Sequence, residues 1–316
     1  MYIPGMSADE SDRREALLVE LRRRIGCHAG APGTTSIDGV QLCAADRPSE
    51  PRAAGSGSGV AVIAQGSKRL AIGDRVYDYG PGQYLITSVD LPVTGHYTRA
   101  SPDEPALAFG MVLRPSVVAS LLLEAPANLG LPAARRMAAP PGIGVADASP
   151  ELLDAVVRMV RLFDRPDDRL MLARSIEREI LWRLLTGPLA ATASQIGRSD
   201  SALTHIGGAA RWITDNYNTQ FRVEDLARRF SMSPSAFHRN FHAVTALSPI
   251  QFQKQVRLQR SRLLLMTGDG DVATVGHHVG YDNTSQFSRE YRRQFGLPPG
   301  RDAARLRAQG VQADAS

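Results

Sequence analysis

The sequence is poor in cysteine and has no long apolar run. Its two cysteines, Cys27 and Cys43, are too few for a disulfide framework and lack the CxxC spacing of a zinc or redox motif, so we expect a reducing compartment. No run approaches the roughly 20 apolar residues that cross a bilayer. The first residues, MYIPGMSADESDRREALL, lack the basic and apolar regions of a secretion signal. These absences predict a cytoplasmic protein with no membrane partner.

The excess of positive charge is confined to one part of the chain. The 316 residues, 43% hydrophobic and 22% charged, are enough for two packed domains. The formal net charge is +5. Residues 200–316 carry 15 Lys plus Arg against 10 Asp plus Glu, whereas residues 1–199 carry 22 of each. An anionic partner is therefore expected for the C-terminal part alone.

The N-terminal part has the pattern of short antiparallel strands followed by helices. From about Val60 to Leu113, β-branched and aromatic segments are interrupted every eight to twelve residues by Gly or Pro, which predicts a small β-barrel. A helix is predicted over 15–25 and a loop over 28–59. After the barrel, apolar residues spaced by three and four predict buried helical stripes that include Val117, Val118, Leu121, Leu122, Leu152, Leu153, Val156, Val157, Val160, Leu170, Ile176, Ile180, Leu181 and Leu184. Ser149 followed by Pro150 predicts a helix start.

An internal repeat occupies residues 221–299. VEDLARRF aligns with VATVGHHV at an offset of 49, and SPSAFHRNF aligns with NTSQFSREY at an offset of 50. Each copy predicts a helix, a short turn and a second helix, with Ser233 and Asn283 as N-caps of the second helices. A small residue, Ala227 or Gly276, stands where the second helix must pass closely. The aromatic residues of the second helices face the core, which leaves Ser235, His238, Arg239, Ser285, Gln286, Ser288 and Arg289 on the outer face.

This arrangement is typical of a helix-turn-helix that reads DNA. The second helix enters the major groove, where Arg and Gln side chains can make paired hydrogen bonds to guanine and adenine. Between Arg228 and Arg293 there are ten basic and four acidic residues, which suits a surface that meets phosphate. A connecting helix over 250–266, with Phe252, Val256 and Leu263 predicted on one apolar stripe, would be roughly 25 Å long. One chain could thus read two adjacent segments of major groove.

The repeat resembles the DNA-binding domain of the AraC/XylS family of bacterial transcription regulators. The matching pieces are DLARRFSMSPSAFHRNF, VRLQRSRLLL and VGYDNTSQFSREYRRQFGLPP. The resemblance implies base contacts by Ser235, His238, Arg239, Ser285, Gln286 and Arg289. Phosphate contacts are expected from Arg228, Arg229, Ser233, Asn283, Ser288, Arg292 and Arg293. Ser231 departs from the family pattern, in which a turn glycine is common.

The segment from VAVIAQG to EPALAF resembles the N-terminal domain of one AraC subgroup, which implies a cupin-like barrel that senses a ligand or mediates dimerisation. The expected fold class is α+β: a cupin-like barrel with packing helices, then an all-α domain of two helix-turn-helix units joined by a long helix. The predicted divisions are a helix and flexible loop region at 1–58, the cupin-like domain at 59–186, a linker at 187–201 and the double helix-turn-helix domain at 202–309.

Other interpretations of single features stay open at this stage. GSGSG at 55–59 has no flanking strand and helix, which favours a loop over a dinucleotide site. Cys27 and Cys43 are either two unpaired thiols or a redox switch. Arg228, Arg229, Arg292 and Arg293 could equally serve solubility. The barrel segment contains a single histidine, His96, which argues against a metal site and against the alternative hypothesis of a cupin-type metal enzyme with a nonspecific nucleic-acid-binding tail.

The sequence therefore predicts a sequence-specific DNA-binding transcription regulator that is not an enzyme. The expected partners are double-stranded promoter DNA, a small-molecule effector of unknown identity and a second copy of the chain, with RNA polymerase as a further candidate. No catalytic residue, metal or cofactor is expected.

Overall fold

A computed structural model of the chain describes residues 8–29, 35–53, 57–73, 75–89, 91–126, 141–197, 202–268 and 270–313. Residues 30–34 and 54–56 of the predicted loop, and residues 198–201 of the predicted linker, lie outside the described part. The chain divides into two compact units, which are Met1–His205 with Ala243–Ala246, and Ile206–His242 with Leu247–Ser316.

The N-terminal unit contains two antiparallel sheets. Its strands are β1 (Val40–Ala45), β2 (Arg52–Ala53), β3 (Gly59–Gln65), β4 (Ser67–Ile72), β5 (Arg75–Tyr79), β6 (Gln83–Thr87), β7 (Thr94–Arg99), β8 (Ala106–Val112) and β9 (Ile143–Asp147). One sheet has the order β1-β8-β3-β6-β9 and the other has the order β2-β7-β4-β5. The predicted α+β class and strand-rich segment are confirmed, but the strands form two sheets in place of a closed barrel.

Helices cover one face of the five-stranded sheet. They are α1 (Ala8–His28), α2 (Pro115–Glu124), α3 (Pro150–Arg161), α4 (Pro166–Leu185) and α5 (Ala190–Ile196). Alternate sheet residues such as Val62 and Phe109 are fully buried in one core with Leu21 of α1, Val156 of α3 and Ile180 of α4. The N-terminal helix extends beyond its predicted limits of 15–25. Its Leu18, Leu21 and Ile25 stripe lies in this core.

Two predictions for regions of irregular structure are wrong. The predicted loop at 28–59 contains β1, which pairs along its whole length with β8 and buries Val40 and Leu42. The predicted linker at 187–201 contains α5, whose Ala193 and Ile196 lie in the core. Both elements have weak local signals and are stabilised by partners distant in sequence.

The predicted buried stripes of the N-terminal unit are confirmed except at three positions, because Val117 and Leu122 are half-buried against the core and Leu170 is exposed. Ser149 caps α3, since its hydroxyl accepts a hydrogen bond from the Leu152 backbone N–H at 3.2 Å, and Pro150 follows in the first turn. Leu170, however, is 87% exposed. It is the fifth residue of α4, whose buried residues begin only at Ile176.

The C-terminal unit is built from helices in its described residues. They are α6 (Ala202–Asp215), α7 (Val223–Arg229), α8 (Pro234–Thr245), α9 (Pro249–Thr267), α10 (Val272–His278), α11 (Thr284–Phe295) and α12 (Pro299–Ala313). The pairs α7–α8 and α10–α11 are the two predicted helix-turn-helix units, and α9 is the predicted connector.

The buried face of α9 changes along its length. Phe252 packs on Phe241 of α8, with ring centroids 5.4 Å apart, whereas Leu258 and Leu265 belong to a core with Phe287 of α11. Leu263, predicted to continue the stripe of Phe252 and Val256, is therefore exposed. The stripe turns because the two halves of α9 pack against different helix-turn-helix units.

The two copies of the repeat differ at their left-handed backbone positions. In the second copy these positions are Gly280, with φ of +91°, and Gly296, with φ of +79°. In the first copy they are Ser231, with φ of +56°, and Ala246, with φ of +60°. An L side chain costs roughly 1–2 kcal/mol in this conformation, so the first copy is strained where the second copy is not.

Ser231→Gly is expected to stabilise the C-terminal unit by up to about 1 kcal/mol, because relief of the strain exceeds the greater entropy that glycine gives the unfolded chain. The converse change, Gly280→Ala, is expected to destabilise the unit by about 2 kcal/mol. A Cβ at Gly280 would lie 2.6 Å from the Asn218 carbonyl oxygen as well as being strained. Urea unfolding of the full chain measures both changes, and a loss of stability in Ser231→Gly would contradict the argument.

Candidate nucleic-acid interface

The second helix of each unit begins at a side-chain cap. The Asn283 side-chain oxygen accepts hydrogen bonds from the backbone N–H groups of Ser285 and Gln286, at 2.8 and 3.1 Å. Ser233 accepts a longer bond from the Ala236 N–H at 3.4 Å. The predicted caps are thereby confirmed. Both helices begin at exposed residues, so the positive ends of their dipoles face solvent.

Buried aromatic residues fix which face of these helices is outward. Phe237 and Phe241 on α8, and Phe287 and Tyr291 on α11, are fully buried. A Cβ placed on Gly276 of α10 would lie 2.9 Å from the Phe287 ring, which confirms that a small residue is needed at this crossing. The packing therefore sets the rotation of each second helix about its own axis.

The six predicted base-contacting residues are all exposed. They lie in the N-terminal half of α8 and α11, on the faces opposite the aromatic core: Ser235, His238, Arg239, Ser285, Gln286 and Arg289. The structure brings them together as two sets, one on each helix. Contact with bases stays a prediction.

The predicted phosphate-contacting residues are more varied. Arg292 and Arg293 are exposed on the last turns of α11, and Ser288 is half-buried. Arg228 pairs with Asp225 on its own helix, and the Arg229 guanidinium lies 5.5 Å from the centroid of the Trp212 ring. The side chains of Ser233 and Asn283 are occupied as caps. The exposed arginines of α11 are thus better placed for phosphate than the capping residues.

Two polar side chains of the connector helix, Gln253 and Arg257, hold the unit together. The Arg257 guanidinium donates to the carbonyl of Tyr217 at 2.6 Å and to that of Gly280 at 2.7 Å. Gln253 donates to the carbonyls of Tyr217 and Thr219. From sequence, Arg257 is only one of the ten basic residues between 228 and 293, and its spacing on α9 contains no signal for this internal role.

A fully buried carboxylate joins three of the helices. Asp302 of α12 accepts hydrogen bonds from Arg262 of α9 at 2.9 Å, Tyr291 of α11 at 2.9 Å and Arg305 at 2.8 Å. Burial alone would raise the pKa of Asp302, but these donors outweigh it and hold the pKa below its usual value. We refer to these four residues as the Asp302 cluster, which no sequence pattern predicted.

Another carboxylate, that of Glu290, is partly buried and lies beside the outer face of α11. Glu290 accepts from the Lys254 ammonium of α9 at 2.8 Å, from the Tyr281 hydroxyl at 2.8 Å and from the Gln286 side-chain amide at 3.2 Å. Burial favours a higher pKa for Glu290, yet the three donors keep the pKa below its ordinary value. One predicted base-contacting side chain, Gln286, is therefore already held within the protein.

Two adjoining clefts lie in the N-terminal unit. They have volumes of about 340 and 270 Å³ and share Arg114, Arg174 and Glu177. Arg114 bridges Glu177 at 2.9 Å and Asp38 at 2.7 Å. Burial raises the pKa of Glu177 despite the neighbouring Arg114. These charged groups form a polar floor on which a small molecule could be oriented.

Other site types find little support in the described residues. Among the described residues, no group of three or more His, Cys, Asp or Glu side chains is arranged to hold a metal ion. Cys27 is exposed and Cys43 is half-buried, and both are free thiols. Within the described ranges, we find no helix whose length and apolarity would let it span a bilayer.

Comparison with known proteins gives consistent matches in both halves of the chain. The family described as "AraC-type transcriptional regulator N-terminus" matches residues 36–192, and a "Helix-turn-helix domain" family matches residues 226–305. The transcriptional activator RhaS of Salmonella arizonae is 28% identical over 156 residues, which cover 48% of this chain and 56% of RhaS. RhaS of Escherichia coli O157:H7 is 26% identical over 148 residues, covering 47% and 53%.

The chain spans about half the length of the curated relatives it matches. Among solved structures, ToxT from Vibrio cholerae superimposes with a TM-score of 0.53 at 10% identity, covering 84% of this chain and 97% of ToxT. At that identity the match shows a shared fold alone. With a regulator-type N-terminal domain and a duplicated helix-turn-helix in one polypeptide, the chain belongs to the AraC/XylS family of transcription regulators.

Proposed function

We propose that this chain binds specific sites in double-stranded promoter DNA and thereby regulates transcription. The observation that carries the proposal is the repeated helix-turn-helix. In each copy, aromatic residues of the second helix are buried in the core, so the polar face of α8 and that of α11 are exposed to solvent. The local excess of basic residues supports contact with phosphate. The residues proposed to contact bases are Ser235, His238, Arg239, Ser285, Gln286 and Arg289.

The length of the connector supports recognition of two successive major-groove segments by one chain. Its 19 residues give a helix of roughly 28 Å, near the roughly 34 Å of one DNA turn. Selection of duplexes from a randomised library by the full chain should therefore yield a site with two conserved elements about 10 base pairs apart. Recovery of unrelated sequences after repeated rounds would contradict the proposal.

We also propose that the N-terminal unit binds a small-molecule effector, with the clefts at Arg114, Arg174 and Glu177 as its candidate site. Regulator-type N-terminal domains match this region, and ToxT, which shares the fold, has been solved with a bound butenoic acid derivative. Thermal-shift screening against small metabolites tests the idea, because a ligand that prefers the native state raises the midpoint of unfolding.

A homodimer formed by the N-terminal unit is the remaining part of the proposal. Leu123 on α2, and Leu170 and Met171 on α4, are 88%, 87% and 78% exposed, and these are the apolar side chains that we propose to lie in the dimer interface. We expect the regulator to act in the cytoplasm beside RNA polymerase and to have no enzymatic activity, as the curated relatives are transcription regulators. Sedimentation of the full chain tests the dimer.

A further inference from the structure

Among the predicted base-contacting residues that the structure describes, Gln286 has a side chain that donates a hydrogen bond to a residue one turn further along α11. Its backbone N–H is fixed by the Asn283 cap at 3.1 Å. Its side-chain amide nitrogen donates to Glu290 Oε1 at 3.2 Å, one helical turn further on. The backbone N–H and the side-chain amide of Gln286 are thus each held by a hydrogen bond, while the residue remains exposed.

Glu290 can act as a fixed anchor because other elements immobilise it. The same Oε1 accepts from Lys254 Nζ on α9, and Oε2 accepts from the hydroxyl of the buried Tyr281, both at 2.8 Å. The Glu290 side chain is only 12% exposed, whereas that of Lys254 is 41% exposed. Hydrogen bonds with an ionised partner are stronger than neutral ones, so the carboxylate has little freedom to move.

The anchor is specific to the second helix-turn-helix. At the repeat offset of 50, Gln286 corresponds to Ala236 and Glu290 corresponds to Asn240. Ala236 has no side-chain hydrogen-bonding group, so the first unit cannot form the equivalent pair. Any effect of the anchor should therefore appear in one half of the DNA site.

We propose that Glu290 is a positioning residue for base recognition: it orients the carboxamide of Gln286 so that this side chain reads adenine. The inference rests on the proposed DNA-binding function. A carboxamide nitrogen carries two N–H groups, and Glu290 uses one. The second N–H and the carbonyl oxygen have no other partner among the described residues. They match the N7 acceptor and the N6 donor that adenine presents in the major groove.

Pre-orientation should increase discrimination at a single base pair. A free glutamine must give up rotamer freedom when it binds, and that loss corresponds to about a 2- to 12-fold weaker interaction. Because Glu290 restrains the Gln286 side chain before DNA binds, the folded protein has already lost part of this rotamer freedom. The gain applies to the contact made by Gln286 and to no other position of the site.

The test uses the full chain and the duplex that it selects from a randomised library. Gln286→Ala first identifies the base pair that Gln286 reads, as the position where discrimination is lost. Glu290→Met, which keeps the side-chain length but removes both acceptors, is then expected to lower discrimination at that base pair by about 2- to 12-fold. Gln294→Ala, an exposed change on the last turn of the same helix, is the matched control and should leave it unchanged.

A double-mutant comparison separates positioning from general stability. In the Gln286→Ala background, Glu290→Met should cause no further loss of discrimination, because its effect passes through Gln286. If Glu290→Met does not fold, Glu290→Gln preserves the volume; it keeps one oxygen acceptor but loses the negative charge that strengthens the bonds immobilising the group, so a smaller loss of discrimination is expected.

Three results would overturn the inference while leaving the DNA-binding function intact: unchanged discrimination in the folded Glu290 variants, an equal loss of affinity at every position of the site, or a base other than adenine at the position read by Gln286. Failure of the wild-type chain to select any sequence would instead overturn the proposed function, and this inference with it.

Discussion

The double variant Arg239→Ala plus Arg289→Ala is expected to lose discrimination between its selected DNA site and unrelated DNA. Each arginine is exposed on the outer face of a second helix, one in each unit. A bidentate contact from arginine to guanine contributes about 1–3 kcal/mol of discrimination. Loss of both contacts should thus reduce the specific-to-nonspecific affinity ratio by about 30-fold or more. Gel-shift titrations at a fixed salt concentration measure the ratio.

The matched control is Arg23→Ala plus Arg99→Ala, which removes the same charge from exposed positions of the N-terminal unit. It should leave the affinity ratio unchanged, because these residues lie in the half of the chain with no excess of positive charge. Retained selectivity in the Arg239 and Arg289 variant would show that the bases are read by other side chains.

Asp302→Ala is expected to destabilise the C-terminal unit by about 3–5 kcal/mol, because it leaves the charge of Arg262 without its buried partner. Asp302 is fully buried, and the Arg262 side chain is 13% exposed. The substitution also removes the acceptor of the Tyr291 hydroxyl and so weakens the contact between α12 and the recognition helix α11. Urea unfolding of the full chain, monitored by hydrogen exchange of the backbone amides within residues 206–313, measures the change in stability of this unit.

The Asp302 cluster also predicts a direction for the pH dependence. The donors hold the pKa of Asp302 below its ordinary value in the folded state, so the cluster contributes stability above that ordinary value and loses it as the pH falls through the folded-state pKa. The difference in stability between wild type and Asp302→Ala should shrink on acidification.

As a control, Asp215→Ala removes an exposed carboxylate from α6 and should change stability by about 0.5 kcal/mol or less. Equal effects of the two substitutions would contradict the role of burial.

Local sequence signals predicted the C-terminal fold well. The repeat places each apolar, small and capping residue twice, and the structure buries Phe237 and Phe287 and caps α11 with Asn283 as expected. Such features depend on neighbours a few residues apart in sequence. A spacing of three and four residues is therefore sufficient to identify them.

Contacts between distant residues could not be predicted in this way. Strand β1 lies in a segment rich in Gly, Pro and Ser and depends on its pairing with β8, about 65 residues later. The buried carboxylate of Asp302 and the anchor formed by Glu290 each depend on side chains of α9. A charged residue in a single sequence contains no signal that distinguishes a solvated side chain from one paired with a partner about 40 residues away.

The most direct test of the account is the equilibrium affinity of the full chain for its selected duplex, compared with a shuffled duplex of the same composition, over a series of salt concentrations. Nonspecific binding should weaken steeply with salt, since it depends on phosphate contacts. The account predicts that the selected duplex binds at least about 10³-fold more tightly at physiological salt. Equal affinity for the two duplexes at every salt concentration would contradict it.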